Sequence, residues 1–299
     1  MNTIIASKKE NKELIARAGR LNYMLEKMGK TARIKYVQCW KNNVCLDGYT
    51  IFTPGFNAAP TLYYDPMWDN VSDEALLDEL IYLSEDKTTN ISIETIMSRE
   101  YILANVKPKL VGIANEEQIK KNHYVFVKHL DFCILFTVEV TGLADKNEVG
   151  TYTVRDDHML EAGLDSQELF VAAVKNAGKD TDIVNLISYI KEKTENQYDL
   201  TDEDDLMPIY IVTNKRKCDG ASCILNSDVC KHLQELLNSD ELLVIPSSIH
   251  ETLVTIPTMQ AIEGLNDFVA QVNSTLRPED VLTDSIYIYR DDKLNLIRK

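Results

Sequence analysis

Residues 243–256, LVIPSSIHETLVTI, constrain the fold more than any other stretch of the chain. Two apolar runs rich in β-branched residues flank a Pro-Ser-Ser turn, and such short runs bounded by turn residues read as strand, turn and strand. Longer segments elsewhere carry apolar residues three and four apart, the spacing of a helix with one buried face. Strands and helices in this mixture predict an α+β protein with mixed or antiparallel sheets.

The opening helix carries Leu14, Ile15, Ala18, Leu21, Leu25 and Met28, stops near Gly29, and is expected to lay one face on a sheet. Residues 34–40 and 44–52 flank Asn42-Asn43, which tolerate the positive φ of a two-residue hairpin and set Trp40 opposite Cys45. A third strand is predicted at 61–64, followed by a helix capped by Ser72 with a stripe of Leu76, Leu77, Leu80 and Leu83. A helix over 93–105 ends before Pro108, because the residue preceding proline is pushed out of the helical region. Strands follow at 124–130, 132–140 and 149–154, then helices at 166–176 and 182–194.

An acidic run at 199–205 reads as a linker or exposed loop. Beyond it come strands at 209–213 and 221–225, a helix at 227–237, strands at 242–245 and 249–256, a helix at 259–273, and a closing hairpin around Asp291-Asp292. Hairpin-then-helix blocks therefore recur four times. The expected organisation is an N-terminal α+β region over 1–198 and a C-terminal strand-strand-helix region over 206–299, or one continuous unit.

With 299 residues, 44% of them hydrophobic, the chain can bury a core without crosslinks. None of the first 30 residues reads as a secretory leader, so the six cysteines are expected to be reduced thiols in a cytoplasm. No window approaches the roughly 20 apolar residues of a membrane span. A net charge of −15, with basic stretches such as 215–217 only three residues long, argues against a large surface for nucleic-acid phosphates. Neither nucleic acid nor membrane is expected as a direct partner.

Phosphate-binding glycine loops and the HExxH zinc-protease helix are missing, and a calcium loop starting at Asp202 fails at its fifth and sixth positions, Leu206 and Met207. Cys218, Cys223, Cys230 and His232 crowd together, but their C-x4-C-x6-C-x-H spacing is unlike the short paired spacings of zinc knuckles. No metal and no cofactor are expected. The sharpest catalytic candidate is Ser247, Ser248, His250 and Glu251, with Asp284 as a carboxylate partner, since an activated serine beside a histidine suffices for acyl transfer. Against it stands the bland alternative, a turn whose hydroxyls satisfy main-chain groups and whose histidine is bonded to a neighbouring loop. No residue is assigned as catalytic.

Several long stretches carry a resemblance: KNNVCLDGYTIFTPGFNAAPTLYYD, PKLVGIANEEQ, HLDFCILF, PIYIVTNKRKCDGASCIL, VIPSSIHETLV and QVNSTLRPEDVLTDSIYIYR. On these the chain resembles an uncharacterised bacterial domain-of-unknown-function family, family 5688, of gut anaerobes and their mobile elements. The resemblance implies a bacterial intracellular protein built as one unit, and transfers no residue role. It draws attention to Asn214, Ser248, His250, Glu251 and Asp284 as a candidate functional site, because they lie in the most family-like stretches. The favoured reading is a non-enzymatic module that binds another protein, in its narrower form an acidic inhibitor of a basic nucleic-acid-binding protein. A hydrolase using Ser248 and His250 and a small-ligand sensor domain are the alternatives.

Overall fold

Helix α1 (Lys12–Lys27) begins where Asn11 accepts the main-chain N–H groups of Glu13 at 3.0 Å and Leu14 at 3.3 Å, and Gly29 ends it at φ 69°. Its stripe of Leu14, Ala18, Leu21 and Leu25 is buried with Ile34 of β1 (Arg33–Lys41) and Tyr49 and Ile51 of β2 (Val44–Phe52). The predicted hairpin forms with Asn43 at φ 61° and with Trp40 opposite Cys45. β3 (Thr61–Tyr63) adds to the other edge of β2, and α2 (Asp73–Lys87) closes this core with Leu76, Leu77 and Leu80. At about 1.5–3 kcal/mol for each fully buried leucine, that stripe is what holds α2 in place. The computed structural model describes residues 10–87, 91–141, 149–193, 208–258, 262 and 264–297; the acidic run at 199–205 lies outside them.

The middle of the chain departs from expectation in two places. The single helix predicted over 93–105 is two, α3 (Ile93–Ile96) and α4 (Arg99–Asn105), because the Ser98 side chain accepts the Tyr101 N–H at 3.3 Å and starts a new helix. The next residues form an unforeseen strand, β4 (Val106–Gly112), in which Pro108 lies opposite Phe136. A proline is tolerated there because β4 is an edge strand. After α5 (Glu116–Lys121), β5 (Phe126–His129), β6 (Phe132–Val140) and β7 (Gly150–Thr153) follow; β4 pairs with one edge of β6, while β5 and β7 share its other edge. α6 (Asp156–Glu161) and α7 (Ser166–Asp180) complete the block.

Residues 182–185, the start of the helix predicted over 182–194, belong instead to β8 (Thr181–Asn185), and α8 (Leu186–Lys193) is the helical part among the described residues. β-branched residues there pair with β9 (Tyr210–Asn214), and the Asn185 side chain accepts the N–H groups of Ile187 and Ser188 to begin α8. The strand predicted at 221–225 is a buried 3-10 helix, Gly220–Leu225. A short apolar run has no period that separates a buried strand from a buried helical turn. Three hairpin-then-helix blocks thus remain, not four.

α9 (Ser227–Leu237) matches its predicted bounds and buries Val229, Cys230, Leu233 and Leu237. β10 (Leu242–Pro246) and β11 (Thr252–Thr255) form the hairpin read from LVIPSSIHETLVTI, although β11 begins three residues later than predicted. α10 (Leu265–Asn273) starts at Gly264, whose φ of 75° falls inside the single helix predicted over 259–273, and β12 (Tyr287–Arg290) and β13 (Lys293–Leu296) close the chain around Asp291 and Asp292, both at positive φ. The resulting six-stranded sheet has the order β13-β12-β10-β11-β9-β8, and its described pairings are all antiparallel.

One large core joins the middle block to this sheet, with Ile102, Phe136 and Leu169 in the same cluster as Val212, Leu233 and Tyr287. The first hairpin reaches both through amide side chains. The buried Asn42 donates to the carbonyls of Glu279 at 3.0 Å and Val281 at 2.7 Å, and accepts from the Gly112 N–H and the Asn115 amide, each at 3.0 Å. Asn43 donates to the carbonyls of Pro278 and Val281 and exchanges bonds with Asn115. This asparagine knot fixes the 277–284 loop, on which the candidate site depends. Among the described residues, no helix is long and apolar enough to cross a membrane.

Candidate functional site

His250 sits in the turn between β10 and β11. The main-chain N–H groups of Ser247 and Ser248 both point to the Glu251 carbonyl at 3.2 Å, which folds the turn back before β11 starts. Within it the Ser248 hydroxyl oxygen accepts the main-chain N–H of His250 at 3.0 Å, and the Ser247 hydroxyl donates to Glu251 at 3.2 Å. Both serines are thus committed to the turn, Ser248 through a main-chain group, as the bland reading of Pro-Ser-Ser expects, and Ser247 through the Glu251 carboxylate instead.

The imidazole bridges two other loops. Its Nδ1 accepts the main-chain N–H of Asp219 at 3.1 Å, and its Nε2 lies 3.2 Å from Asp280 Oδ1. An Nδ1 that accepts leaves the proton on Nε2, so Nε2 donates to Asp280. The carboxylate partner is therefore Asp280 and not Asp284, which accepts from the Asn273 amide at 2.8 Å. Asp280 is set by the asparagine knot on one side and by Arg277, whose Nε donates to it at 3.0 Å, on the other.

The Asp219 side of the bridge is built by the loop that follows β9. Asn214 accepts the Cys218 N–H at 3.2 Å and donates to the Cys218 carbonyl at 2.6 Å, so one amide holds both sides of that residue. Lys217 and Asp219 adopt positive φ, and the Thr213 hydroxyl donates to the His250 carbonyl at 2.8 Å. Gly220 is required for contact: a Cβ there would sit 2.4 Å from Thr213 Oγ1, 2.5 Å from Asn214 N and 2.7 Å from the His250 carbonyl oxygen. As a result the Cys218 sulfur, an Asp219 carboxylate oxygen and a ring nitrogen of His250 lie within 4.8 Å of one another.

The structure thus gathers three of the five sequence candidates, Asn214, Ser248 and His250, and leaves Glu251 on Ser247 and Asp284 on Asn273. Cys218, Asp219 and Asp280 are the residues the sequence did not place with them. Cys218 stood out only in the crowd with Cys223, Cys230 and His232, and that crowd does not assemble: Cys223 and Cys230 are buried with their thiols toward the carbonyls of Ala177 and Ile224, and His232 pairs with Glu235.

Comparison with known proteins returns one match, a family model described as a family of unknown function, DUF5688, over residues 20–291. The chain belongs to DUF5688. No curated protein and no solved structure matches it.

In this DUF5688 chain the Cys218 sulfur, followed by the Asp280 and Asp219 carboxylates, raises the His250 pKa above its ordinary value against the opposing effect of burial. Asp219 also pairs with Lys109 at 3.0 Å, and Lys107 holds Glu139 and Asp180 at 2.9 and 2.5 Å. Lys107, Glu139, Asp180 and Asp219 line a cavity of about 60 Å³ next to Cys218. That volume is well below the roughly 300–1,000 Å³ of small-molecule sites.

Proposed function

We propose that the protein acts by binding a basic protein partner, through the outer face of α2. Glu74, Asp78 and Glu79 are exposed on that helix and, among the described residues, have no cationic partner, whereas Asp73 is held by Arg17 and Arg20 and Glu85 by Lys30. Glu74 and Asp78 stand one turn apart, a like-charge spacing that costs about 0.2–0.5 kcal/mol in a free helix and that a basic partner would relieve. Tyr82, 64% exposed, continues the same stripe one turn further and offers the kind of aromatic anchor that carries binding energy. This unpaired acidic stripe with an exposed tyrosine carries the reading.

A net charge of −15 adds long-range attraction for such a partner. The narrower form is an inhibitor that covers the nucleic-acid-binding face of a basic protein, in keeping with the mobile-element setting the resemblance implies. The six free cysteines support a cytoplasmic location. Nothing in the geometry favours the serine hydrolase, because both ring nitrogens of His250 and both serine hydroxyls have other partners. The small charged cavity beside Cys218 gives no support to a ligand-sensor site at that place.

The test is recovery of the tagged chain from host lysate after nuclease treatment, beside the triple variant Glu74→Lys, Asp78→Lys, Glu79→Lys. A stoichiometric basic protein that is released by salt and lost from the variant is the expected result. The reading fails if no protein accompanies the wild type, or if the variant retains the same one.

A further inference from the structure

We propose that Cys218, Asp219 and His250 form a binding site for a divalent transition-metal ion of the zinc class, with Asp280 orienting the imidazole. The donor set selects the ion. A thiolate, an imidazole nitrogen and one carboxylate oxygen suit zinc and its neighbours, whereas calcium and magnesium require oxygen ligands throughout. All three donor atoms already lie within 4.8 Å of one another. Tetrahedral zinc, with bonds of about 2.0–2.3 Å, places its ligand atoms roughly 3.3–3.8 Å apart, so the cluster needs to draw in by roughly 1 Å. Cys218 is exposed and can supply that movement by rotating its side chain.

The imidazole is already presented as a ligand. Nε2–H on Asp280 fixes the tautomer and ring plane, the carboxylate–histidine arrangement that supports bound metals, and leaves the Nδ1 lone pair toward the Cys218-Asp219 turn. The metal would replace the single Asp219 N–H contact to Nδ1. Three protein ligands leave a fourth position for water, the pattern of open rather than structural zinc sites. Lys109 is the competitor, since its ammonium lies 3.0 Å from Asp219.

The experiment is titration of the untagged, reduced full chain with Co²⁺ in chelator-free buffer, followed by absorption spectroscopy. The expected result is a thiolate-to-cobalt charge-transfer band that saturates at one ion per chain and is bleached by equimolar Zn²⁺. Cys218→Ser, at an exposed position, removes the band while near-ultraviolet circular dichroism stays that of the wild type. Asp280→Asn weakens binding ten-fold or more, the scale of second-sphere changes. Lys109→Met, which deletes the competing cation, tightens it. A wild-type chain without the band at millimolar Co²⁺, or a band unchanged in Cys218→Ser, overturns the proposal.

Discussion

Two polar clusters grip the 277–284 loop, and they are built on opposite principles. The asparagine knot is neutral and buried, with Asn115 at 0% and Asn42 at 2% exposure, and its amides are saturated by main-chain groups and by one another. The Cys218–His250–Asp280 cluster is half-exposed and rich in titratable atoms, and it includes a thiol that no main-chain group among the described residues satisfies. A saturated amide network fixes a fold because every lost partner strands another buried group. A cluster with spare donor capacity beside solvent is the arrangement that leaves room for chemistry.

The largest effect that would test this contrast is at the knot. Asn115→Ala strands the Asn43 N–H and the Asn43 side-chain oxygen and takes one of two donors from the Asn42 side-chain oxygen, and should cost about 3 kcal/mol or more, read as a lower denaturant midpoint. Cys218→Ser should leave that midpoint nearly unchanged; equal losses would break the comparison.

Next is Gly220→Ala. Its Cβ meets main-chain atoms at 2.5 and 2.7 Å, which cannot yield as a flexible side chain would, so a loss of about 2–3 kcal/mol is expected. A metal titration of the same variant sharpens the contrast, since displaced Asp219 and His250 should bind Co²⁺ more weakly.

A smaller effect concerns acid. Arg20, then Arg17, hold the Asp73 carboxyl below the usual aspartate range. Its contribution is present above the unfolded pKa of about 4 and is lost as pH falls through the lower folded value. Stability of the wild type should therefore fall in that window, and Asp73→Asn should flatten the fall. An unchanged acid limb would remove Asp73 from the account.

The smallest concerns reactivity alone. Burial pushes the thiol of Cys133 up to about 11 and that of Cys230 up to about 12, and raises Cys223 as well. Iodoacetamide at neutral pH should therefore label Cys218 before those three, which react only after denaturation. Mass spectrometry of tryptic peptides reads the order, and early labelling of Cys223 would contradict the packing of the 3-10 helix.

Much of the local structure was legible in particular residues. The leucine spacing of α1 and α9, the Asn42-Asn43 hairpin and the Asp291-Asp292 turn are determined by neighbours within one or two turns of chain. What misled were segments whose state depends on distant partners: Thr181–Asn185 is a strand because β9 lies beside it, and the 3-10 helix Gly220–Leu225 is buried where Thr213 Oγ1, Asn214 N and the His250 carbonyl close on Gly220. The site was half legible. VIPSSIHE marked His250, yet its carboxylate is Asp280, thirty residues away, and its other contact is a main-chain N–H that no side-chain pattern could announce.

By itself the sequence determined the α+β class, the amphipathic helices, the tight turns and an acidic surface, because these follow from periodicity, backbone restriction and summed charge. Only the tertiary structure decided that Cys218, Asp219, His250 and Asp280 meet. Their meeting depends on three loops held together by hydrogen bonds between groups remote in sequence, and such contacts leave no local signature in any of the loops they join.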